Sequence, residues 1–156
     1  MDVYGIIKTA HILSGTVLFG TGLGTAFFFW RAHARGNEAG RLAAVRTTVL
    51  ADWVFTTPAV VVQPATGFWM IAQAGLPWND LWLVATFGLY VVAALCWLPV
   101  VAIQIRMKRM LEREAEGEAI DRQRYARLYR SWFRLGWPAF GGLVAVYFLM
   151  VLKPSW

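Results

Sequence analysis

Few side chains in this 156-residue chain can do chemistry, and the most informative group lies near its start: Lys8, His11, Gly15, Leu18, Gly22 and Thr25. Projected at about 100° per residue, they share one helical face that is polar at one end and smooth below it. Imidazole is a standard iron ligand, glycine removes side chains that would block a flat macrocycle, and a nearby lysine can pair with a propionate. The stripe therefore predicts haem b, with His11 as axial ligand and Lys8, Gly15 and Gly22 shaping the pocket. The plain alternative is that the glycines pack helices, with Gly20 and Gly24 adding a GxxxG pair, while His11 hydrogen-bonds a neighbouring helix. His33 lies 22 residues beyond His11, about 33 Å along a continuous helix. It cannot bind the same iron and is expected as an exposed loop residue. A sulfur ligand would come from Met70 or Met150.

Asp52, Thr56, Ala59, Gln63, Thr66 and Met70 alternate steps of four and three, so they too keep to one face, expected to look inward. Ionisable groups inside a membrane are costly to keep. Asp52 and Arg134 are therefore expected to form a structural ion pair, favoured over a proton relay because a single carboxylate is at hand. A third stripe runs through Thr86, Tyr90, Ala93, Trp97, Val101 and Gln104. Its Tyr90 and Trp97 either line a porphyrin pocket or pack a bundle core. Pro58, Pro64 and Pro138 are expected to bend their helices, and a bend frees backbone carbonyls.

The elements that must position these residues are four apolar runs, at about 3–30, 47–74, 81–105 and 132–152. Each reaches the roughly 20 residues that cross a bilayer. The chain is 58% hydrophobic and 15% charged, against about 25% charged in soluble domains, and its mean hydropathy is +0.50. This predicts an all-α fold, a four-helix transmembrane bundle forming one domain over 1–156. The net charge of +6 would suit a nucleic-acid binder, but the bases fall in two short stretches between apolar runs. The expected partner is the lipid bilayer, with no nucleic acid. Residues 31–46 carry four arginines against Glu38, residues 106–130 carry eight Lys/Arg against five Asp/Glu, and the connection 75–80 has no base. The positive-inside bias then places both termini, and the turn Leu76–Asp80, on the periplasmic side. Residues 106–130 read as a solvated helical extension of the third span, followed by a break at Gly117.

Tryptophans 69, 78, 82 and 156 fall near the outer boundary and 30, 53, 132 and 137 near the inner one, as aromatic belts do. Ala32-His33-Ala34 has the small-x-small form of a signal cleavage site, but the preceding apolar run is too long for a signal core and lacks a basic start. The first span is expected to stay. Cys96 stands alone, excluding an intrachain disulfide or a cysteine cage for zinc or iron–sulfur. Walker, GxGxxG, GxSxG, HExxH and CxxC motifs are missing, which removes support for nucleotide, serine-hydrolase and zinc-protease chemistry.

The runs Ile7-Lys8-Thr9-Ala10-His11-Ile12-Leu13-Ser14-Gly15, Leu50 to Pro58 with Gln63-Pro64, and Trp132-Phe133-Arg134-Leu135-Gly136-Trp137-Pro138 resemble a bacterial family of predicted integral membrane proteins of unknown function. The likeness covers nearly the whole chain and implies four spans in the bacterial inner membrane. More distantly, the Lys8-x-x-His11 opening is similar to HemJ-type protoporphyrinogen oxidases and CopD-like membrane proteins, and the HemJ likeness implies haem b at His11. The expectation is a membrane haem b protein in electron transfer or redox chemistry on a lipophilic partner, a quinone or a porphyrin. His11 and Met70 are its expected metal-side residues. A non-catalytic subunit docking to another membrane protein is the alternative, and a small transporter the third; a homo-oligomer or a partner membrane protein is expected in either case.

Overall fold

A computed structural model describes residues 2–154. Four helices make up the fold: α1 (Val3–Arg35), α2 (Glu38–Ala74), α3 (Leu81–Ala115) and α4 (Arg122–Leu152), each long and apolar enough to cross a membrane. The all-α, four-span architecture is as expected. Trp156 lies outside the described residues.

The helices run well past the apolar stretches, and residues 31–46, expected as a loop, are almost wholly helical. Only Gly36 and Asn37 separate α1 from α2. The Gly36 amide bonds the Ala32 carbonyl at 2.8 Å, and the Asn37 side chain caps α2 by accepting from the Gly40 amide at 2.8 Å. The physical reason is compositional: Glu38-Ala39-Gly40-Arg41-Leu42-Ala43-Ala44 is rich in helix formers and amphipathic enough to pack, so it prefers a helix to a loop. The extension of α3 and its break are as expected, with Gly117 in a left-handed conformation (φ 89°) that favours glycine. Asp121 then caps α4 through the Arg124 amide at 2.9 Å.

The helices pack as two antiparallel hairpins, α1 with α2 and α3 with α4. What joins the hairpins is a core at the basic end, built from Phe29, Val45, Val100, Ile103, Met107, Leu111, Tyr125 and Trp132. Half of that core lies beyond the apolar spans. Its rim carries the ion pairs Arg46–Glu112 (2.9 Å), Arg122–Glu38 (3.0 Å) and Arg122–Glu114. Such exposed pairs add little stability but tie the helix ends together.

His33 belongs to this cap and is not an exposed loop residue. Its Nδ1–H donates to the Phe29 carbonyl at 2.8 Å, so Nε2 accepts from the Tyr125 hydroxyl at 2.5 Å, and the ring stacks on Tyr129 at 4.3 Å. Because α1 continues straight through Arg35, it carries His33 onto α4. Of the seams between neighbouring helices, that between α1 and α4 is the loosest. Across it Phe19 stacks on Phe140 at 4.8 Å and Phe29 meets Trp132 edge-on at 4.7 Å.

Candidate functional site

Between the loosely packed α1 and α4 lies a cavity of about 330 Å³ in the basic half of the spans. All four helices line it, and nearly all of the lining is apolar. Leu23 and Trp30 on α1 and Phe133 and Trp137 on α4 line the cavity while remaining exposed, so it opens toward lipid through the α1–α4 seam. A volume of this size suits a small organic ligand.

One end of the cavity is polar. At Asp52–Thr56, α2 makes a π-turn, in which the Thr57 amide and hydroxyl both donate to the Asp52 carbonyl. The extra residue resets the register, and such turns occur often at functional sites. It brings Asp52 (5% exposed) and Thr56 (4% exposed) to the cavity together. The Thr56 hydroxyl donates to Asp52 Oδ1 at 3.0 Å. Gln104 of α3, 4% exposed, lies between Asp52 and Trp132, and in the amide orientation that satisfies both neighbours its nitrogen donates to Asp52 Oδ2 at 2.7 Å and its oxygen accepts from the Trp132 indole N–H at 3.2 Å.

The expected Asp52–Arg134 ion pair does not form. Arg134 is exposed and has no salt bridge among the described residues, while Asp52 takes neutral donors instead. The reason is angular: Trp132 turns inward to the core, and Arg134, two residues on, points about 200° away from it.

Halfway up the bundle, Tyr90 donates its hydroxyl to the Val60 carbonyl at 2.6 Å. That carbonyl is the one that Pro64, with no N–H, leaves without its helical partner four residues on. A phenol from α3 thus replaces a missing backbone bond in α2. Further along the cavity, the buried Trp97 indole N–H has no hydrogen-bond partner.

His11 lies elsewhere, in the half of the bundle near the termini. Its Nδ1 is 2.8 Å from the Thr66 hydroxyl, and its Nε2 is 3.2 Å from the Gln63 amide nitrogen. Thr66 passes its own proton to the Val62 carbonyl at 2.7 Å, so it accepts from Nδ1–H, and Nε2 accepts from Gln63. The Gln63 oxygen in turn takes the Ser14 hydroxyl at 2.5 Å. Gly67 makes the docking possible, since a Cβ there would stand 3.2 Å from His11 Cε1. At Gly15 a Cβ would stand 2.9 Å from the Tyr147 hydroxyl.

These surroundings do not fit a haem. Both imidazole nitrogens are engaged, and the cavity that His11 lines holds about 70 Å³, against the roughly 300–1,000 Å³ of small-molecule pockets. The residues expected around one cofactor are divided: Gly15 lies beside His11, Gly22 and Trp97 line the larger cavity, and Tyr90 lines both. Lys8 is exposed, and Met70 lines neither cavity, whereas Met150 lines the one beside His11. Among the described residues no cluster of three His, Cys, Asp or Glu is placed to hold a metal ion. A Cβ at Gly20 or Gly24 would meet nothing within 4 Å.

Together these features define a four-helix integral membrane protein with a lipid-accessible internal cavity. The chain belongs to the family described as predicted integral membrane protein (DUF2269), whose model matches residues 5–154. No curated protein and no solved structure matches it.

Proposed function

We propose that this protein binds a lipophilic redox molecule of the quinone class, admitted from the bilayer through the α1–α4 seam and held in the larger cavity. Of the two lipophilic partners expected, quinone and porphyrin, the cavity suits the first. The observation that carries the reading is that Trp97, whose buried indole N–H has no partner among the described residues, lines the same cavity as a carboxylate, Asp52.

A quinone carbonyl accepts from an indole N–H, and a quinol hydroxyl donates to a carboxylate. Asp52 has capacity for this, because each of its oxygens receives one bond, from Thr56 and from Gln104, and can accept another. Trp97 and Gln104 are two helical turns apart, roughly 10.5 Å in rise. An ester lipid offers acceptors alone and would leave Asp52 without a new donor.

Both the stripe through Lys8, His11 and Gly15 and the HemJ-like opening suggest haem b; in this reading the geometry at His11 favours hydrogen bonding in its place. We place the basic end in the cytoplasm of a bacterial inner membrane, following its arginines. The ligand head then sits in the cytoplasmic leaflet, with its tail leaving through the seam.

The test is a titration of the purified protein, in nanodiscs, with a short-tailed benzoquinol kept reduced, the form that both accepts from Trp97 and donates to Asp52, read as quenching of tryptophan emission. Trp30, Trp132 and Trp137 line the cavity and report occupancy even in a Trp97→Phe variant. Saturable quenching that weakens in Asp52→Asn and Trp97→Phe is expected; linear quenching, identical in all three proteins, would reject the reading. An absorbance spectrum taken on the same sample is expected to lack a Soret band. A Soret band that disappears in His11→Ala would restore haem ligation.

A further inference from the structure

Charge of one sign is concentrated on α4, which carries Arg122, Arg124, Arg127, Arg130 and Arg134 and no aspartate or glutamate. The acids that could answer them are engaged elsewhere: Glu38 and Glu114 bond Arg122, Glu112 bonds Arg46, and Glu118 bonds Arg113. Arg127, Arg130 and Arg134 are exposed and have no salt bridge among the described residues. Arg130, Phe133, Arg134 and Trp137 follow the spacing i, i+3, i+4 and i+7, so they share one face of α4. All four are exposed, and the two rings meet edge-on at 6.1 Å. On this face guanidinium gives way to aromatic ring where the fourth apolar run begins, at about 132. Bases at that depth lie level with lipid phosphates, and exposed aromatic rings just below them lie level with the glycerol and upper acyl chains.

We propose that this face of α4 binds an anionic phospholipid of the surrounding bilayer, its phosphate held by the Arg130 and Arg134 guanidiniums and its glycerol and upper chains lying over Phe133 and Trp137. The planar guanidinium fork donates two parallel bonds to a phosphate, which an ammonium cannot do. An acidic protein segment would answer the charge but not the exposed rings at hydrocarbon depth, whereas a lipid answers both. Arg130 and Arg134 line neither cavity, so the site stands apart from whatever the larger cavity holds. Phe133 and Trp137 do line that cavity at the seam, and a lipid seated here would border its opening.

Native mass spectrometry of the full chain, released from detergent after titration with phosphatidylglycerol or with phosphatidylcholine of the same acyl chains, reads the affinity for the first lipid bound. Phosphatidylglycerol should bind roughly tenfold tighter than phosphatidylcholine. Replacing both bases, Arg130→Gln with Arg134→Gln, should remove that preference and leave phosphatidylcholine binding as it was. Arg130→Lys with Arg134→Lys keeps the charge without the fork and should fall between the two. The charge-matched control is Arg106→Gln with Arg109→Gln on α3, also exposed and without a salt bridge among the described residues. It should change phosphatidylglycerol affinity by less than about twofold. Equal affinity of the wild type for the two lipids would overturn the proposal. So would equal losses in the α4 and α3 variants, which would show attraction spread over the whole basic end. If the lipids bind alike and a polyglutamate peptide binds in a way that the α4 variant abolishes, the face belongs to an acidic protein partner instead. The quenching titration with quinol, repeated on the α4 variant, should be unchanged, which keeps this site and the larger cavity separable.

Discussion

The two halves of this bundle spend their polar residues differently. Near the termini, Ser14, Gln63, His11 and Thr66 form a directional chain of hydrogen bonds, closed against α2 by Gly67. In the basic half, Asp52, Thr56, Gln104 and Trp132 are equally well bonded to one another, but they border a far larger space also lined by Trp97, whose N–H is unanswered among the described residues. A satisfied polar network in a membrane acts as glue between helices. One that faces a cavity with spare capacity is poised for a ligand. The imidazole, the more eye-catching group in the sequence, turns out to be on the glue side.

The largest effect should come from the carboxylate. Asp52→Asn removes a charge-assisted acceptor worth about 1.5–3 kcal/mol, and quinol affinity is expected to fall roughly 10- to 100-fold. Equal affinity for the wild type and the variant in the quenching titration would erase the contrast between the halves.

Next, Gly67→Val should push His11 off α2. Overpacking of this kind costs about 1–3 kcal/mol, seen as a lower midpoint of thermal unfolding in detergent, with ligand binding in the basic half preserved. Unchanged stability would mean that the close approach at Gly67 is not required.

Tyr90, between the halves, gives a sharper test because its role is tied to Pro64. Tyr90→Phe leaves the Val60 carbonyl bare, at a cost of about 1–3 kcal/mol. In a Pro64→Ala background the restored amide should answer that carbonyl, and the same Tyr90→Phe change should cost much less. A double-mutant cycle reads the coupling; additive losses would show that the phenol does not replace the missing bond.

Arg134→Ala should do least. Arg134 is exposed and has no salt bridge among the described residues, and surface changes of this sort fall within about 0.5 kcal/mol. Its effect should also add to that of Asp52→Asn without coupling, whereas a coupled loss would reinstate the ion pair.

Much of the architecture was legible because bilayer length and apolar content leave few choices. Four runs of sufficient length, and two basic connections, led directly to four antiparallel spans. The inward stripe on α2 was also readable, since Asp52, Thr56, Gln63 and Thr66 all do face the interior despite the π-turn between them. The helical cap was not: charged stretches such as 31–46 look like loops until the partner surfaces of α3 and α4 are known. Nor was the division of the site. A helical stripe states which residues share a face, but not how far apart neighbouring helices stand, so His11 and Trp97 could be assigned to one pocket when they belong to two.

Pro64 offered one signal that could have been followed further. A proline inside a membrane helix leaves a known carbonyl, that of Val60, in need of a donor, and Tyr90 is among the few side chains able to supply it.

From composition and spacing alone, this chain was committed to the membrane, to four helices and to inward-facing polar residues, because water-free hydrocarbon demands satisfied backbone and penalises charge. Which of those polar residues are spent on each other and which are left for a ligand depended on interhelical distances. Those are set by the packing of Gly67 against His11, of Phe29 against Trp132, and by the loose seam between α1 and α4, none of which a single helix can encode.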